Sequence, residues 1–311
     1  MTRYGYFGPA GNFTQMALLD WERGGGATHV AYASVDATLA AVRAGQIDAG
    51  VVPIENSVEG GVTATLDALA VGDPLIVLGE VLVPIRFVLA APAGTGLEDV
   101  HTIGTHSHAW AQVRGWIAEH LPEAVYVPTL STASAAADLG PGGEGRHDAA
   151  ICAPIAAELA GLEVLADHIG DMKRAVTRFV VVAKPARIPA PTGADKTTLV
   201  LYQRDDHAGG LMALLEQFAT RGINMTRLES RPTKHSMGDY CFSIDIEGHV
   251  LDERVGEALT GLKRVCAAVI FLGSYARADR SEATIAPYNT DAEFRDAAGW
   301  LAGLRGLVDD D

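Results

Sequence analysis

A hydroxyl, a guanidinium and an aromatic ring stand side by side at Thr177, Arg178 and Phe179, where a polar stretch meets the apolar residues 180–183. A positioned hydroxyl can donate a hydrogen bond to a leaving oxygen, and a guanidinium can hold a carboxylate through two parallel bonds. A regular strand would place Thr177 and Phe179 on one face and Arg178 on the other. We expect an irregular hinge between two lobes, because both polar groups could then meet one ligand. The alternative is an ordinary strand that begins with an exposed arginine.

A second polar group follows the apolar residues 48–53, which we predict to be a buried strand. A carboxylate, an amide and a hydroxyl stand together at Glu55, Asn56 and Ser57. Ligands of open α/β sheets usually bind beyond the carboxyl ends of the strands. The sequence therefore predicts a polar ligand site here. A capping loop ahead of the next helix is the structural alternative, and it would account for Ser57.

These two segments need a scaffold that brings them together, and residues 1–183 supply one. Apolar runs of strand length alternate with helical stretches, and the chain crosses twice between two groups of them. The pattern predicts two α/β lobes around a cleft, as in periplasmic binding proteins. Lobe 1 takes residues about 1–83 and 177–183, and lobe 2 takes residues about 84–176.

Polar residues begin three of the predicted helices, at 12–14, 105–108 and 131–134. The unpaired backbone N–H groups and the dipole of a helix start favour an anion. His106 and His108 could suggest a metal site or a general base, but the local sequence offers no third metal ligand. We therefore predict no metal, and a capping or surface role for a histidine at this helix start.

A second domain is predicted beyond residue 183. Residues 184–196 are rich in proline and alanine and read as a linker. Residues 197–276 carry strands and helices in the order βαββαβ, which is typical of a ferredoxin-like fold. Residues 277–311 are polar, and acidic at the end, and are expected to be a poorly determined tail.

Composition narrows the class of protein. The 311 residues are 48% hydrophobic with a formal net charge of −15, which argues against non-specific binding to nucleic acid. Three cysteines without paired spacing indicate reduced thiols in a cytoplasmic protein. The N-terminus lacks an apolar signal core, and no apolar run approaches the length of a membrane span. We expect a cytoplasmic protein that acts on a small molecule, with no membrane or nucleic-acid partner.

Seven segments together resemble the prephenate dehydratase family with a C-terminal ACT regulatory domain. They are GPAGNFT (8–14), VVPIENSVEGGV (51–62), THSHAWAQ (105–112), STASAAA (131–137), TRF (177–179), GGLMALLEQFATRGINMTRLESRP (209–232) and GDYCF (238–242). They cover nearly the whole chain, so the combination is far more specific than any single segment. The family converts prephenate to phenylpyruvate, with loss of water and carbon dioxide, in phenylalanine biosynthesis. The resemblance implies a monofunctional enzyme that needs no cofactor, because aromatisation of the ring drives the reaction.

The resemblance also implies roles for individual residues. Thr177 would be the principal catalytic hydroxyl, with Glu55 and Asn56 as further catalytic residues. The implied substrate-binding residues are Thr14, Ser57, Thr105, His106, Gln112, Ser131, Thr132, Arg178 and Phe179. The implied phenylalanine-binding residues, normally between subunits, are Gly209, Gly210, Leu211, Asn224, Glu229, Ser230 and Arg231. The chain departs from the family at Asn12 and Thr14, where Thr and Ser are usual, and at Thr105, Ser107 and His108, where Ser, Pro and Gln are usual.

The chemistry sets further expectations for the cleft. Thr177 is a weak acid, so it should act as a hydrogen-bond donor to the leaving oxygen, with Glu55 as a candidate proton source. The side-chain carboxylate of prephenate should be anchored by Arg178 or by helix starts. The ring carboxylate must leave as neutral carbon dioxide, so one wall should be apolar, with Phe179 a candidate.

Two other functions stay open at this point. Arogenate dehydratases carry out the same chemistry on the amino-acid analogue of prephenate, and no acidic contact for its ammonium group can be read from the sequence. A non-enzymatic binding module with an ACT sensor is the alternative from another class. We further expect phenylalanine to be an inhibitory effector, and the chain to form a homodimer or homotetramer.

Overall fold

The structure, a computed structural model, describes residues 1–204, 207–233 and 240–308. The chain divides into two compact units. Unit 1 comprises Met1–Thr65 and Val81–Val182, and unit 2 comprises Leu66–Glu80 and Ala183–Asp311. Residues 238–239 of the GDYCF segment and residues 309–311 of the predicted tail lie outside the described residues.

Strands and helices alternate through unit 1, as the hydrophobic pattern predicts. The strands are β1 (Arg3–Phe7), β2 (Thr28–Tyr32), β3 (Ala49–Asn56), β4 (Gly60–Gly61), β5 (Ile76–Pro84), β6 (Val88–Ala91), β7 (Thr102–Thr105), β8 (Val125–Pro128), β9 (Ala149–Cys152), β10 (Glu163–Ala166) and β11 (Val176–Ala183). The helices are α1 (Phe13–Glu22), α2 (Val35–Arg43), α3 (Thr63–Ala70), α4 (Ser107–Ala111), α5 (Arg114–His120), α6 (Thr132–Leu139) and α7 (Pro154–Ala160). Three of these elements, α3, β5 and β11, begin in one unit and end in the other.

Lobe 1 of unit 1 is built on the sheet β2-β1-β3-β11-β5, with β4 paired to β3. β1 runs parallel to both β2 and β3. The first half of β3 is fully buried, so its carboxyl end emerges from the core at Glu55 and Asn56. Helix α1 begins where the Asn12 side chain accepts a hydrogen bond from the Gln15 N–H at 2.9 Å.

Lobe 2 is built on the sheet β10-β6-β9-β7-β8. Helix α6 begins with a capping box in which Ser131 and Ser134 each accept from the backbone N–H of the other at 2.9 Å. The turn before α1 lies close to this lobe. A Cβ on Gly11 would come within 3.1 Å of Ala156 Cα, and the residue has a φ of +86°, so both space and conformation require glycine.

The sequence predicts one helix after the polar start at 105–108, over residues 109–120, but the structure has two, and Asp171 explains the break. Its carboxylate accepts hydrogen bonds from the N–H groups of Gly115 and Trp116 at 3.0 and 3.1 Å, in the first turn of α5. Its own N–H donates to the Gln112 carbonyl at 2.7 Å. Asp171, which lies about 55 positions further along the chain, therefore ends α4 and begins α5.

The sheet of unit 2 has the ferredoxin-like order β13-β14-β12-β15, and every neighbouring pair is antiparallel. The elements beyond residue 183 are β12 (Asp195–Tyr202), α8 (Gly210–Ala219), β13 (Met225–Pro232), β14 (Tyr240–Glu247), α9 (Glu253–Val265), β15 (Ala268–Ala276) and α10 (Asp291–Arg305). Helix α10 lies in the predicted tail, where we expected little structure. Among the described residues, no helix has the length and apolar character needed to cross a bilayer.

Residues 66–80 belong to unit 2, whereas the sequence places them in lobe 1. Lys196 donates to both oxygens of Glu80 at 2.9 and 3.1 Å, and both side chains are buried. Arg231 pairs with Asp67 at 3.0 Å. Tyr202 donates to the Ala70 carbonyl at 2.7 Å. These are contacts between residues far apart in sequence, so no local pattern could have shown them.

Candidate active site

A cleft of about 330 Å³ lies between the lobes of unit 1. Lobe 1 contributes the turn before α1, the end of β3 with the loop after it, and the start of β11. Lobe 2 contributes Ile85 and Phe87, helix α4 with its flanking residues, and the start of α6. The two polar segments singled out in the sequence therefore meet at one site.

Asn56 and Thr177 are in direct contact in this cleft. The Asn56 Nδ2 donates to Thr177 Oγ1 at 2.7 Å. The Asn56 Oδ1 accepts from the N–H groups of Val58 and Glu59 at 2.8 and 3.2 Å, which fixes the orientation of the amide. Because Thr177 Oγ1 accepts from Asn56, its own proton is available to an acceptor in the cleft.

Arg178 does not line the cleft, and the expectation of an irregular hinge is wrong. Residues 176–183 form the regular strand β11, so Thr177 and Phe179 share the cleft face and Arg178 lies on the other. The Arg178 side chain is 7% exposed and lies 3.6 Å from Glu55 Oε2. Glu55, expected as a catalytic residue and a candidate proton source, is likewise absent from the lining, and its carboxylate lies beside Arg178 instead.

Ser57 and Thr105 also make structural contacts rather than lining the cleft. Ser57 Oγ accepts from the Val176 N–H at 2.9 Å, which ties the loop after β3 to the start of β11. Thr105 is fully buried, and its hydroxyl donates to the Ile151 carbonyl at 2.7 Å.

The remaining expected substrate-binding residues do line the cleft. They are Thr14, His106, Gln112, Ser131, Thr132 and Phe179. Thr14 lies in the first turn of α1 and Thr132 in the first turn of α6. The N-terminal ends of both helices, with their partial positive charges, are therefore directed at the cleft.

Aromatic and aliphatic side chains form part of the lining. Phe13 and Phe87 meet edge to face with their ring centroids 5.6 Å apart. Ile85 and Phe179 also line the cleft. One side of the cleft is thus apolar, while the helix ends and the Asn56–Thr177 pair are polar.

Glu59, which the sequence did not single out, and His108, which it named as a departure from the family, line the cleft with His106. His108 Nδ1 lies 3.4 Å from Glu59 Oε2, and the His106 and His108 ring centroids are 5.0 Å apart. Burial lowers the pKa of His106, and the neighbouring His108 lowers it further. The contact joins lobe 1 to lobe 2, so only the folded chain reveals it.

Known proteins resemble this chain in sequence and in structure. The sequence model of the prephenate dehydratase family matches residues 4–187. The prephenate dehydratase of Amycolatopsis methanolica is 45% identical over 306 residues, which are 98% of each chain. The crystal structure of the prephenate dehydratase of Arthrobacter aurescens with L-phenylalanine is 52% identical, with a TM-score of 0.92 over 98% of this chain and 100% of that one. The chain belongs to the prephenate dehydratase family.

This membership confirms the resemblance seen in the seven segments. It also confirms the predicted fold class, a two-lobed periplasmic-binding-protein-like domain followed by a ferredoxin-like ACT domain. A quorum-quenching acylase, GqqA, is also similar, at 31% identity and a TM-score of 0.79 over 88% of this chain and 98% of that one. Prephenate dehydratase is the activity shared by the family model and the more similar relatives.

The expected effector residues of the ACT domain fall into two places. Tyr202, the last residue of β12, and Arg231 both pair with Cys241, so the ends of β12 and β13 lie at the same end of the sheet. Gly209–Leu211 follow β12 in the chain, and Glu229–Arg231 lie near the end of β13, so the two groups share this end. Gly209 has a φ of +88° at the start of α8, a conformation that favours glycine. Asn224 lies at the other end of β13, where its carbonyl accepts from the Glu247 N–H. One chain alone does not bring Asn224 to the other six residues.

Proposed function

We propose that this chain converts prephenate to phenylpyruvate in the cleft of unit 1, with Thr177 in contact with the departing oxygen. The hydrogen bond from Asn56 to Thr177 carries the proposal, because it leaves the Thr177 proton directed to another acceptor. A donor held in place before the reaction stabilises charge as it develops, without the cost of reorienting.

The bond changes define what the cleft must do. The C4–oxygen bond breaks, and the departing hydroxide takes up one proton to leave as water. The ring carboxylate leaves as carbon dioxide, and the electron pair of that carbon–carbon bond enters the ring as it becomes aromatic. Thr177 stabilises the oxygen at which negative charge grows. Asn56 positions Thr177 and keeps its hydroxyl from turning away.

The two carboxylates of prephenate meet different surroundings. Since Arg178 lies on the far face of β11, the partial positive charges at the starts of α1 and α6 are the proposed anchor for the side-chain carboxylate. The apolar side formed by Phe13, Phe87 and Phe179 suits the ring carboxylate. Weak solvation there favours its conversion into neutral carbon dioxide.

Acylase activity, which is named for GqqA, has less support in this cleft. It usually requires a nucleophile activated by a base. Thr177 Oγ1 receives a hydrogen bond from an amide, and the cysteine of β9, Cys152, is buried, with desolvation raising its pKa to about 12. Neither group is prepared to attack a carbonyl.

Turnover of prephenate by the purified chain tests the proposal, with phenylpyruvate measured by its absorbance in alkali. Thr177→Ala should fold and bind prephenate but lose about 10²–10³ in kcat, the usual effect of removing one transition-state donor. Thr177→Ser keeps the hydroxyl and should retain much more activity. Wild-type kcat in Thr177→Ala would remove Thr177 from the mechanism, and no turnover by the wild-type chain would overturn the function.

We propose further that L-phenylalanine is an effector bound at unit 2. The complex of the Arthrobacter aurescens relative and the shared position of Gly209–Leu211 and Glu229–Arg231 support this. The separate position of Asn224 is consistent with a site completed by a second copy of the chain. The homodimer or homotetramer and the cytoplasmic location stay predictions, and light scattering of the purified chain would measure the assembly.

A further inference from the structure

Glu59 brings a carboxylate into the cleft, and lobe 2 contacts each of its two oxygens. Its Oε2 lies 3.4 Å from His108 Nδ1. Its Oε1 accepts from Gln112 Nε2 at 3.5 Å. Of the described residues that line the cleft, Glu59 is the only one with a carboxyl side chain, and none is a lysine or an arginine.

The position of Glu59 is tied to the reacting groups. Its backbone N–H donates to Asn56 Oδ1 at 3.2 Å, and the same amide donates to Thr177 at 2.7 Å. The carboxylate is therefore on a loop whose geometry is set by the residue that orients Thr177. Any charge on a substrate in this cleft interacts with Glu59.

Prephenate and arogenate differ at one carbon of the side chain, which is a ketone in the first and carries an ammonium group in the second. A bare carboxylate would repel the dianionic keto acid and attract the ammonium of the amino acid. His108, when protonated, compensates the Glu59 charge, and Gln112 occupies the second oxygen. With both contacts in place, an ammonium would have to displace them before it could reach Glu59.

We propose that Glu59 is a specificity-determining residue of this cleft, with His108 and Gln112 holding it in a state that favours the keto acid over the amino acid. The proposal rests on the proposed function and deepens it. It predicts opposite effects of removing the carboxylate and of removing its partners. A residue that only supported the fold would affect both substrates alike.

The test measures kcat/KM for prephenate and arogenate with the full chain and its variants. In the double variant His108→Ala/Gln112→Ala, the exposed carboxylate should shift the prephenate-to-arogenate ratio towards arogenate by about fivefold or more. In Glu59→Gln, the ratio should shift in the opposite direction, because the carboxylate that repels the dianionic keto acid and attracts an ammonium is removed. Initial rates are needed, because arogenate yields phenylalanine, which is the proposed effector.

Glu123→Gln is a matched control, since it removes an exposed carboxylate of lobe 2 that does not line the cleft, and it should leave the ratio unchanged. An unchanged ratio in both cleft variants, or a parallel fall for both substrates, would overturn the proposal. Those outcomes require an active wild-type enzyme. They therefore differ from failure of the proposed function, in which the wild-type chain turns over neither substrate.

Discussion

Asn56 donates a hydrogen bond to Thr177 across 2.7 Å, although the two residues are 121 positions apart in the chain. The contact forms because β3 and β11 are neighbours in the sheet of lobe 1, with Asn56 at the end of one strand and Thr177 at the start of the other. The Asn56 amide donates to the Thr177 hydroxyl oxygen, so the hydroxyl proton of Thr177 is free to be donated to the substrate. The direction of this one bond decides whether Thr177 can assist the leaving oxygen.

Asn56→Asp tests that direction with little change in shape. The carboxylate still accepts from the Val58 and Glu59 N–H groups, but it can no longer donate to Thr177. The Thr177 proton should turn towards the new carboxylate, and kcat should fall by about 10²–10³, the effect of losing a transition-state donor. Steady-state kinetics with prephenate measures this. A kcat close to that of the wild type, in a variant with an unchanged melting curve, would show that the direction of the bond does not matter.

Arg178→Lys is expected to lower stability and to leave KM for prephenate almost unchanged. Arg178 is buried beside Glu55 and faces away from the cleft, and a lysine cannot reproduce the contacts of a planar guanidinium. The free energy of unfolding should fall by about 1–3 kcal/mol, a typical cost of leaving a buried polar group less well satisfied.

Urea unfolding and KM, measured on the same preparations, check this. Arg86→Lys is the control, because Arg86 pairs with Asp167 at an exposed site, where such a pair contributes about 0–1 kcal/mol. A raised KM with unchanged stability would instead place Arg178 on the substrate.

The hydrophobic periodicity of the sequence predicted the fold, and it also predicted correctly that Arg178 lies on the face of its strand opposite Thr177. Alternation in a strand puts Thr177 and Arg178 on opposite faces, and β11 follows that rule. The expectation of a hinge came from assuming that neighbouring polar residues share one ligand. The alternation of side chains along a strand determines the face on which each one lies. It was therefore a better basis for predicting the position of Arg178 than the assumption of a shared ligand.

Other features could not be predicted because they depend on long-range contacts. Glu59 reads as one more polar residue of a loop until lobe 2 brings His108 and Gln112 to it. Glu80 lies in an apolar strand, and a buried carboxylate there is tolerated because Lys196 pairs with it, 116 positions away. Such pairs need the folded chain, since spacing in the sequence says nothing about them.

Asp67→Asn should weaken the link between effector binding and catalysis. Helix α3 begins two residues after β4, which pairs with Glu55 and Asn56, and its later residue Asp67 pairs with Arg231 at the end of β13. A shift of β13 on effector binding can thus be transmitted through α3 to β4 and to the end of β3, which carries Asn56. We expect phenylalanine to bind Asp67→Asn about as well as the wild type but to inhibit it less.

Calorimetric titration of phenylalanine, beside inhibition curves, separates binding from its consequence. Asp67→Glu keeps the charge and should retain inhibition more fully than Asp67→Asn. Point variants suit this question better than truncation after residue 183, which would remove Lys196 from the buried Glu80. Equal inhibition of Asp67→Asn and the wild type would exclude the pair as part of the link.

The pH dependence of stability should include a contribution from His106. Burial lowers the pKa of His106 in the folded chain, and the nearby His108 lowers it further, against a smaller opposing influence of Glu59. As the pH falls below the ordinary value of about 6.5, the unfolded chain takes up a proton at this position before the folded chain does. The free energy of unfolding should therefore fall with pH in this window, and this effect should level off once the pH is below the folded pKa.

Titration of the His106 ring by NMR, assigned from the signal missing in His106→Gln, measures the folded pKa directly. The midpoint should lie below about 6.5 in the wild type and should move upward in His108→Ala, because one source of positive charge is removed. The decrease in unfolding free energy towards acid pH should be shallower in His106→Gln. A wild-type midpoint at or above the ordinary value would show that the cleft does not disfavour the charged ring, and the predicted loss of stability would then be absent as well.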